Sequence, residues 1–296
     1  MPETTNIAPK RKIALTKHHG LGNDFLITVA PTHPIDAADA VAWCDRRLGI
    51  GADGLIVATP IAAPDLSGES GGEGRRWRMV LWNADGGRAE ISGNGIRCLG
   101  QAIVEHLGLD RREDQLLTIE TDAGTRQVIV KAVENHVDDS TQDLASSMVR
   151  VGMGKAVAGP DVSDRWSEVG VDVHSQQGVD IGNPHLVAFV DSIADADMAT
   201  IGPVIEADYP SGLNVHLVEV TGRGSLNLKV WERGAGVTQA CGTGACAAAW
   251  AAQTMGLVDQ QVSVTMPGGA AEVELTDDEV FLIGPAVRVG AVIING

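Results

Sequence analysis

The sequence predicts an α+β protein made of two copies of one structural unit. The 296-residue chain has 44% hydrophobic residues, so it is long and apolar enough to bury a core. Its 36 glycines indicate many turns and close backbone approaches. One order of motifs occurs twice along the chain, which is the pattern of an internal duplication.

The repeated motif is a small nucleophilic residue followed by Gly-x-Gly. It is Ser92-Gly93-Asn94-Gly95 in the first copy and Cys241-Gly242-Thr243-Gly244 in the second. Each copy opens a helix-like run, from Ile96 to Leu107 and from Ala245 to Met255, and a glycine follows each run. Because glycine is the usual residue just past a helix end, we expect two equivalent helices.

The segments around these helices also correspond. Each helix is followed by two alternating runs joined around glycine, which predict hairpins at 117–130 and 262–275. Upstream, Gly22-Asn23-Asp24-Phe25 and Gly182-Asn183-Pro184-His185 each precede a β-prone stretch at a similar distance from the repeated motif. The polar stretch from Glu134 to Ser147 is the expected connection between the copies, and Ala62 to Arg75 is an expected surface loop.

The helix starts predict an anion site with reactive side chains. The first turn of a helix presents unpaired N–H groups and the positive end of its dipole, which favour a carboxylate and a thiolate. We therefore expect Cys241 to be acidic. Two such starts on one cleft would hold a carboxylate between them, with a proton-transferring group on each face of its α-carbon. A duplicated scaffold without an active site is the alternative.

Composition restricts the partners. The formal charge of −17 argues against nucleic acid and anionic lipid, which require basic surfaces. No apolar run is long enough to cross a membrane and the N-terminal segment lacks the apolar region of a signal peptide, so we expect a cytoplasmic protein. The four cysteines show no metal-ligand spacing, and Cys44, Cys98 and Cys246 are interpreted as buried thiols without a chemical role. No metal or cofactor is expected.

Several ordered blocks resemble the diaminopimelate epimerase family of cofactor-independent amino-acid epimerases and racemases. The blocks occur in the family's order and are spread over most of the chain: Lys17 to Phe25, Gly49 to Gly54, Trp82 to Gly86, Gly182 to His185, Gly212 to Val215, and Trp231 to Gly236 leading into Ala240 to Gly244. Proline-racemase-like relatives are a weaker match, because they usually carry histidine in the first motif and lack the Glu232-Arg233-Gly234 block.

The resemblance implies a fold and a domain division. Each of two pseudo-symmetric domains would be a β-sheet or barrel wrapped around a central helix. The last strand, from about Val287 to Ile294, would return to the first domain. The expected domains are residues 1–136 with 287–296, and residues 137–286. A homodimer is a further expectation.

The resemblance also implies the site residues. Cys241 would be one acid/base group, His185 would assist proton transfer, and Glu232 would lie near the substrate amino group. Together with Ser92, these residues are the four catalytic candidates. The groups expected to cradle the reacting carboxylate are Gly93, Asn94, Gly242 and Thr243. The groups expected to recognise the rest of the substrate are Asn23, Gly54, Asn83, Asn183, Asn214, Glu232 and Arg233.

One position departs from the family pattern, because Ser92 stands where the family has its other catalytic cysteine. The pKa of a hydroxyl lies far above that of a thiol, and the difference costs roughly 10 kcal/mol when the anion forms. A helix dipole offsets at most ~2 kcal/mol of this cost. Three functions stay open: an isomerase that epimerises L,L- to meso-diaminopimelate for lysine biosynthesis, a one-base isomerase or dehydratase of a related amino acid, and a non-catalytic ligand-binding paralogue.

Overall fold

A computed structural model describes residues 12–61, 75–132 and 146–295. The loop expected at Ala62 to Arg75 and the connection expected at Glu134 to Ser147 lie, apart from their last residues, outside these ranges. The first half contains β1 (Lys12–Gly20), β2 (Asn23–Val29), α1 (Ala37–Cys44), β3 (Gly54–Pro60), β4 (Arg76–Asn83), β5 (Arg88–Ala89), α2 (Gly93–Leu107), β6 (Gln115–Thr121) and β7 (Gly124–Val130). The second half contains β8 (Ser146–Gly154), β9 (Val157–Ala158), a short 3-10 helix (Arg165–Val169), β10 (Ser175–Asp180), β11 (Pro184–Phe189), α3 (Met198–Glu206), β12 (Asn214–Gly222), β13 (Ser225–Glu232), β14 (Gly236–Val237), α4 (Gly242–Thr254), β15 (Gln261–Met266), β16 (Gly269–Leu275) and β17 (Val280–Asn295).

The first half closes into a barrel around α2. Its strands follow the order β1, β2, β3, β4, β6, β7, β8 and β17. The first part of β17 pairs with β8, and its last part pairs with β1 and closes the barrel. The β2–β3 and β4–β6 pairs are parallel and the others antiparallel. Helix α2 is buried from Gly93 to Val104 and ends at Gly108, whose φ of 62° is the left-handed conformation of a glycine cap.

The second half repeats this architecture around α4. The strand order is β10, β11, β12, β13, β15, β16, the first part of β17, and the β8–β9 segment, which pairs back to β10. The parallel pairs β11–β12 and β13–β15 occupy the equivalent positions. The α+β class, both predicted hairpins and the two barrels around central helices are therefore confirmed.

The long strand β17 belongs to both barrels. Its residues from Val280 to Val287 pair with β8, and those from Val287 to Asn295 pair with β1. The chain thus returns to the first barrel after the second is complete, as expected for the last strand. The domain limits of 1–136 with 287–296, and 137–286, stay a prediction.

The composition of α4 explains how the second barrel accommodates a central helix. Its residues from Gly242 to Ala249 are all buried, so this segment touches the barrel on every side and carries no polar face. Alanines at these positions let the surrounding strands approach the helix closely. The longest helix, α2, has 15 residues, and none in the described ranges combines the length and apolarity that a bilayer span needs.

Candidate active site

The two central helices begin against each other where the barrels meet. A Cβ atom added to Gly93 would lie 3.0 Å from the Cα atom of Gly242, and one added to Gly242 would lie 2.9 Å from the Cα atom of Gly93. Either Cβ would also lie 2.8 Å from Cδ2 of Leu282. Only glycine permits this approach, so the repeated Gly-x-Gly motif brings two helix N-termini to one place.

Ser92 and Cys241 are the N-cap residues of these helices. The Ser92 hydroxyl accepts a hydrogen bond from the Gly95 amide at 3.0 Å, and the Cys241 sulfur accepts one from the Gly244 amide at 3.3 Å. Both residues have extended backbone and both line one cavity of about 1110 Å³ between the barrels. The duplicated N-caps therefore present a hydroxyl and a thiol to the same space.

Most site residues expected from the sequence line this cavity. They are Asn23, Asn83, Ser92, Gly93, Asn94, Asn183, Asn214, Glu232, Arg233, Cys241, Gly242 and Thr243. Two expected residues, Gly54 and His185, are absent from the described lining. Gly54 instead permits close strand packing, since a Cβ atom there would lie 2.7 Å from the Trp82 carbonyl oxygen.

The expectation of an acidic Cys241 is wrong for the ligand-free protein. Burial and the neighbouring Glu232 carboxylate raise the pKa of the Cys241 thiol well above its usual value. Hydrogen bonds from Thr243 and the Gly244 amide act in the opposite direction but are the smaller influence. The sequence showed the helix start but not the depth of burial, and desolvation outweighs a dipole in this setting. Cys241 therefore rests as a thiol.

Glu232 stands beside that thiol. Its carboxylate lies within hydrogen-bonding reach of Cys241 and accepts a hydrogen bond from the Thr238 hydroxyl. Burial raises the pKa of Glu232, and the Thr238 and Cys241 contacts partly oppose this. Glu232 therefore places a carboxylate, which can accept a proton, directly beside the Cys241 thiol.

Asn94 connects the two barrels at the helix starts. Its amide nitrogen donates to the Ala240 carbonyl at 2.9 Å and to the Asn23 side-chain oxygen at 3.2 Å. Its oxygen accepts from the Arg97 guanidinium at 2.8 Å. Asn23 in turn donates to the Asp53 carboxylate at 2.7 Å. Asn94 thus holds the residue before Cys241 in register with its own helix.

Arg97 was not singled out from the sequence. It is fully buried, and burial lowers its pKa to about 10, so it is a cation at neutral pH. Glycines make room for it, because Cβ atoms on Gly20 and Gly284 would lie 3.1 Å and 3.2 Å from guanidinium atoms. The sequence feature that could have identified Arg97 is its position as a charged residue among the apolar residues of the predicted helix.

Arg233 and Glu90 form an ion pair across the cavity at 3.3 Å. Arg233 follows β13 of the second barrel, whereas Glu90 precedes the first helix start, and both side chains are partly exposed. The Arg233 amide donates to the buried Asn214 side chain, which also donates to the Pro184 carbonyl. Glu90 is a second residue that the sequence reasoning missed.

His185 lies behind the cavity wall. One ring nitrogen is 2.9 Å from the Asn183 side-chain oxygen, and the other is 2.7 Å from the ring of His216. Both ring nitrogens are therefore occupied, so His185 supports Asn183 and is not a free base beside Ser92. His216, which the sequence reasoning also missed, is the polar residue in the apolar run Val215-His216-Leu217 of β12.

Comparison with known sequences identifies the family of the chain. The model of the family described as "Diaminopimelate epimerase" matches residues 15–158 and 178–289. The chain belongs to the diaminopimelate epimerase family. A relative named diaminopimelate epimerase 1 from Nostoc sp. is 38% identical over 286 residues, covering 94% of this chain and 98% of the relative. Diaminopimelate epimerase from Moorella thermoacetica is 38% identical over 281 residues, covering 92% and 96%.

Solved structures of lower sequence identity share the fold of this diaminopimelate epimerase family member. A predicted epimerase from Pseudomonas aeruginosa superposes with a TM-score of 0.72 at 15% identity, covering 95% of this chain and 99% of that one. A hydroxyproline epimerase from Agrobacterium vitis superposes with a TM-score of 0.64 at 14% identity, covering 97% and 92%. At these identities the likeness establishes the fold alone.

Proposed function

We propose that the chain is a cofactor-independent isomerase that epimerises L,L-diaminopimelate to meso-diaminopimelate, a step of lysine biosynthesis. The observation that carries the proposal is the placement of Ser92 and Cys241 at two abutting helix starts on one cavity. The names of the 38% identical relatives support diaminopimelate as the substrate.

The helix starts supply the binding site for the reacting carboxylate. The first amides of a helix have no acceptor within it and lie at the positive end of its dipole. Gly93, Asn94, Gly242 and Thr243 provide these amides from two helices. Two dipoles directed at one carboxylate also stabilise the extra charge that the substrate acquires when its α-proton leaves.

Cys241 removes or returns the proton on one face of the α-carbon. Glu232 first takes the thiol proton, and the Cys241 thiolate then takes the α-proton, so that the substrate carries the additional negative charge. The contact between Glu232 and Cys241 supports this exchange because it places a proton-accepting carboxylate at the thiol. The carboxyl of Glu232 remains protonated until the substrate anion is neutralised.

Ser92 delivers a proton to the opposite face. Its hydroxyl donates its proton to the α-carbon, and the resulting alkoxide takes a proton from water in the cavity. The hydroxide left behind is neutralised by the proton held on Glu232, which returns Ser92, Cys241 and Glu232 to their starting states. The alkoxide costs roughly 10 kcal/mol more to form than a thiolate, so this half of the reaction limits the rate. The same barrier applies in the reverse direction, because both directions pass through the same states.

The rest of the substrate is recognised by the polar wall of the cavity. Arg233 would pair with the distal carboxylate in place of Glu90, because a planar guanidinium matches a carboxylate in two hydrogen bonds. Amide side chains provide the remaining donors and acceptors, and they belong to Asn23, Asn83, Asn183 and Asn214. His185 contributes by holding Asn183.

The direct test is conversion of pure L,L-diaminopimelate to the meso isomer, followed by chiral chromatography. We expect slow conversion by the unmodified protein and none by Cys241→Ala. Cys246→Ala is the matched control, since Cys246 is a buried thiol of the same helix that has no part in the mechanism. Equal conversion by the Cys241→Ala protein would contradict the proposal.

One-base chemistry on a related amino acid is the second candidate, and Ser92 is the observation that favours it. A single base exchanges the α-proton on one face and forms no epimer. In that case wild type would exchange the proton of one diaminopimelate isomer, or of a related amino acid, and chiral chromatography would show no second isomer.

A further inference from the structure

A row of hydrogen bonds leads from the interior of the second barrel to the sulfur of Cys241. The His216 ring lies 2.7 Å from Nδ1 of His185, and Nε2 of His185 lies 2.9 Å from Oδ1 of Asn183. Nδ2 of Asn183 lies 3.4 Å from the Thr243 hydroxyl, which lies 3.5 Å from Sγ of Cys241. Only Cys241, Thr243 and Asn183 reach the cavity.

Both histidines of this row are neutral. Burial lowers the pKa of His216 to about 3. Burial, His216 and the Arg233 cation hold the pKa of His185 well below its usual value. A neutral imidazole has one N–H donor and one accepting nitrogen, so the two rings can transmit hydrogen bonds in only one of two directions.

The surroundings of His216, at the buried end of this row, determine the direction in which the hydrogen bonds are donated. Nδ1 of His216 is buried and has no hydrogen-bond partner among the described residues. The His216 ring packs against the first turn of α4, where a Cβ atom on Gly244 would lie 2.4 Å from Cε1 and 3.0 Å from each ring nitrogen. A buried N–H without an acceptor costs more than a lone pair without a donor. The proton of His216 therefore lies on Nε2.

Every other hydrogen in the row follows from that position. Nε2–H of His216 donates to Nδ1 of His185, which places the His185 proton on Nε2. That N–H donates to Oδ1 of Asn183, so the amide nitrogen of Asn183 faces Thr243 and donates to its hydroxyl oxygen. The hydroxyl hydrogen of Thr243 is then directed to the sulfur.

We infer that His216 is a positioning residue for Cys241: it orients His185, Asn183 and Thr243 so that the Thr243 hydroxyl donates a hydrogen bond to the sulfur. In the opposite direction the hydroxyl would donate to Asn183 and turn its oxygen lone pairs toward the sulfur, which would oppose a thiolate. The inference deepens the proposed function, because it rests on Cys241 being the acid/base group.

The hydrogen bond from the Thr243 hydroxyl favours the thiolate form of Cys241, which two other influences disfavour. Burial and the Glu232 carboxylate oppose thiolate formation at Cys241, and the Gly244 amide and Thr243 hydroxyl favour it. A single hydrogen bond that forms with only one protonation state changes a pKa by about 0.4–1.1. Without His216 the pKa of Cys241 should rise by about this amount.

The test measures alkylation of Cys241 by iodoacetamide against pH, read on the Cys241 peptide by mass spectrometry. His216→Phe fills the ring volume but removes the donor, and we expect alkylation at pH 8 to slow by roughly three- to tenfold because thiolate is the reactive form. His216→Gln restores an N–H donor and should recover most of the wild-type rate.

The matched control is His18→Phe. His18 is also fully buried with a pKa lowered to about 4, but it lies in the first barrel and bonds to Gln101. This change should leave the alkylation profile at the wild-type position. Identical profiles for folded His216→Phe and wild type would overturn the inference, as would a His216→Gln protein no faster than His216→Phe.

A measurement on the unmodified protein covers the case in which His216→Phe does not fold. Long-range proton–nitrogen correlation spectra of 15N-histidine-labelled protein identify the protonated nitrogen of each neutral ring. We expect Nε2–H for both His216 and His185, and Nδ1–H at either ring would overturn the inference. Neither readout depends on turnover of diaminopimelate. The positioning role can therefore be refuted while the proposed function holds, and the proposed function can be refuted while the positioning role holds.

Discussion

Ser92→Cys is the change that bears most on how this chain works. Ser92 accepts a hydrogen bond from the Gly95 amide at 3.0 Å and lines the same cavity as Cys241, so a thiol placed there begins α2 as Cys241 begins α4. The substitution removes an ionisation penalty of roughly 10 kcal/mol. Part of this difference is offset because an alkoxide is a stronger base than a thiolate. If the proton is half transferred in the transition state, Ser92→Cys lowers the activation free energy by roughly 5 kcal/mol, which is about a thousandfold in rate or more.

The assay is the initial rate of L,L- to meso-diaminopimelate conversion, measured for wild type, Ser92→Cys and the double variant Ser92→Cys/Cys241→Ala. We expect the first substitution to raise kcat by about three orders of magnitude with little change in KM, because the hydroxyl and the thiol differ in proton transfer and not in carboxylate binding. The double variant should be inactive. The reasoning is falsified if Ser92→Cys binds diaminopimelate normally and epimerises it no faster than wild type.

Three further predictions follow from individual contacts. Glu90→Gln should tighten diaminopimelate binding by up to about fivefold in calorimetry, because an exposed ion pair worth ~0.2–1 kcal/mol no longer competes for Arg233. Weaker binding would mean that Glu90 itself contacts the substrate. Gly93→Ala should lower kcat/KM by about a hundredfold and the unfolding free energy by about 1–3 kcal/mol. The added Cβ would lie 2.8 Å from Leu282 and 3.0 Å from the Gly242 backbone and would force the two helix starts apart. An unchanged kcat/KM would contradict the need for abutting helix starts. The urea-unfolding free energy should fall as the pH decreases from 6.5 to 5, by up to ~1.4 kcal/mol per pH unit for each buried neutral histidine. The cause is that histidines of the unfolded chain bind protons near pH 6.5, whereas folded His18 has a pKa of about 4 and folded His216 a pKa of about 3. In His18→Phe the free energy of unfolding should depend less steeply on pH, and an unchanged dependence would exclude the contribution of His18.

The duplication made much of the fold predictable. The pairs of Gly-x-Gly motifs, capping glycines and hairpins are local signals, and they located α2, α4 and the hairpins β6–β7 and β15–β16 to within a few residues. The closure of each barrel and the passage of β17 from one to the other depend on pairings between distant residues. Those pairings leave no local signal and came from the family resemblance.

The candidate site was less accessible to sequence reasoning. The residues at the helix starts could be predicted, because Gly-x-Gly after a nucleophilic residue indicates a helix N-terminus that can bind a carboxylate next to a reactive side chain. The high pKa of Cys241 could not be foreseen, since it arises from burial and from a carboxylate nine residues earlier in the chain. Arg97, Glu90 and His216 were missed for the same reason: their importance lies in partners that only the fold brings near.

The central claim is that Ser92 and Cys241 serve opposite faces of one α-carbon with unequal ability. Incubation of wild-type protein with pure L,L- and pure meso-diaminopimelate in deuterated water, followed by NMR and chiral separation, tests it most directly. We predict that one isomer gains deuterium at the α-carbon much faster than it epimerises, and that the epimer formed slowly from it carries one α-deuterium. Exchange without any epimer would leave a one-base enzyme, and the absence of both exchange and epimer would contradict the account.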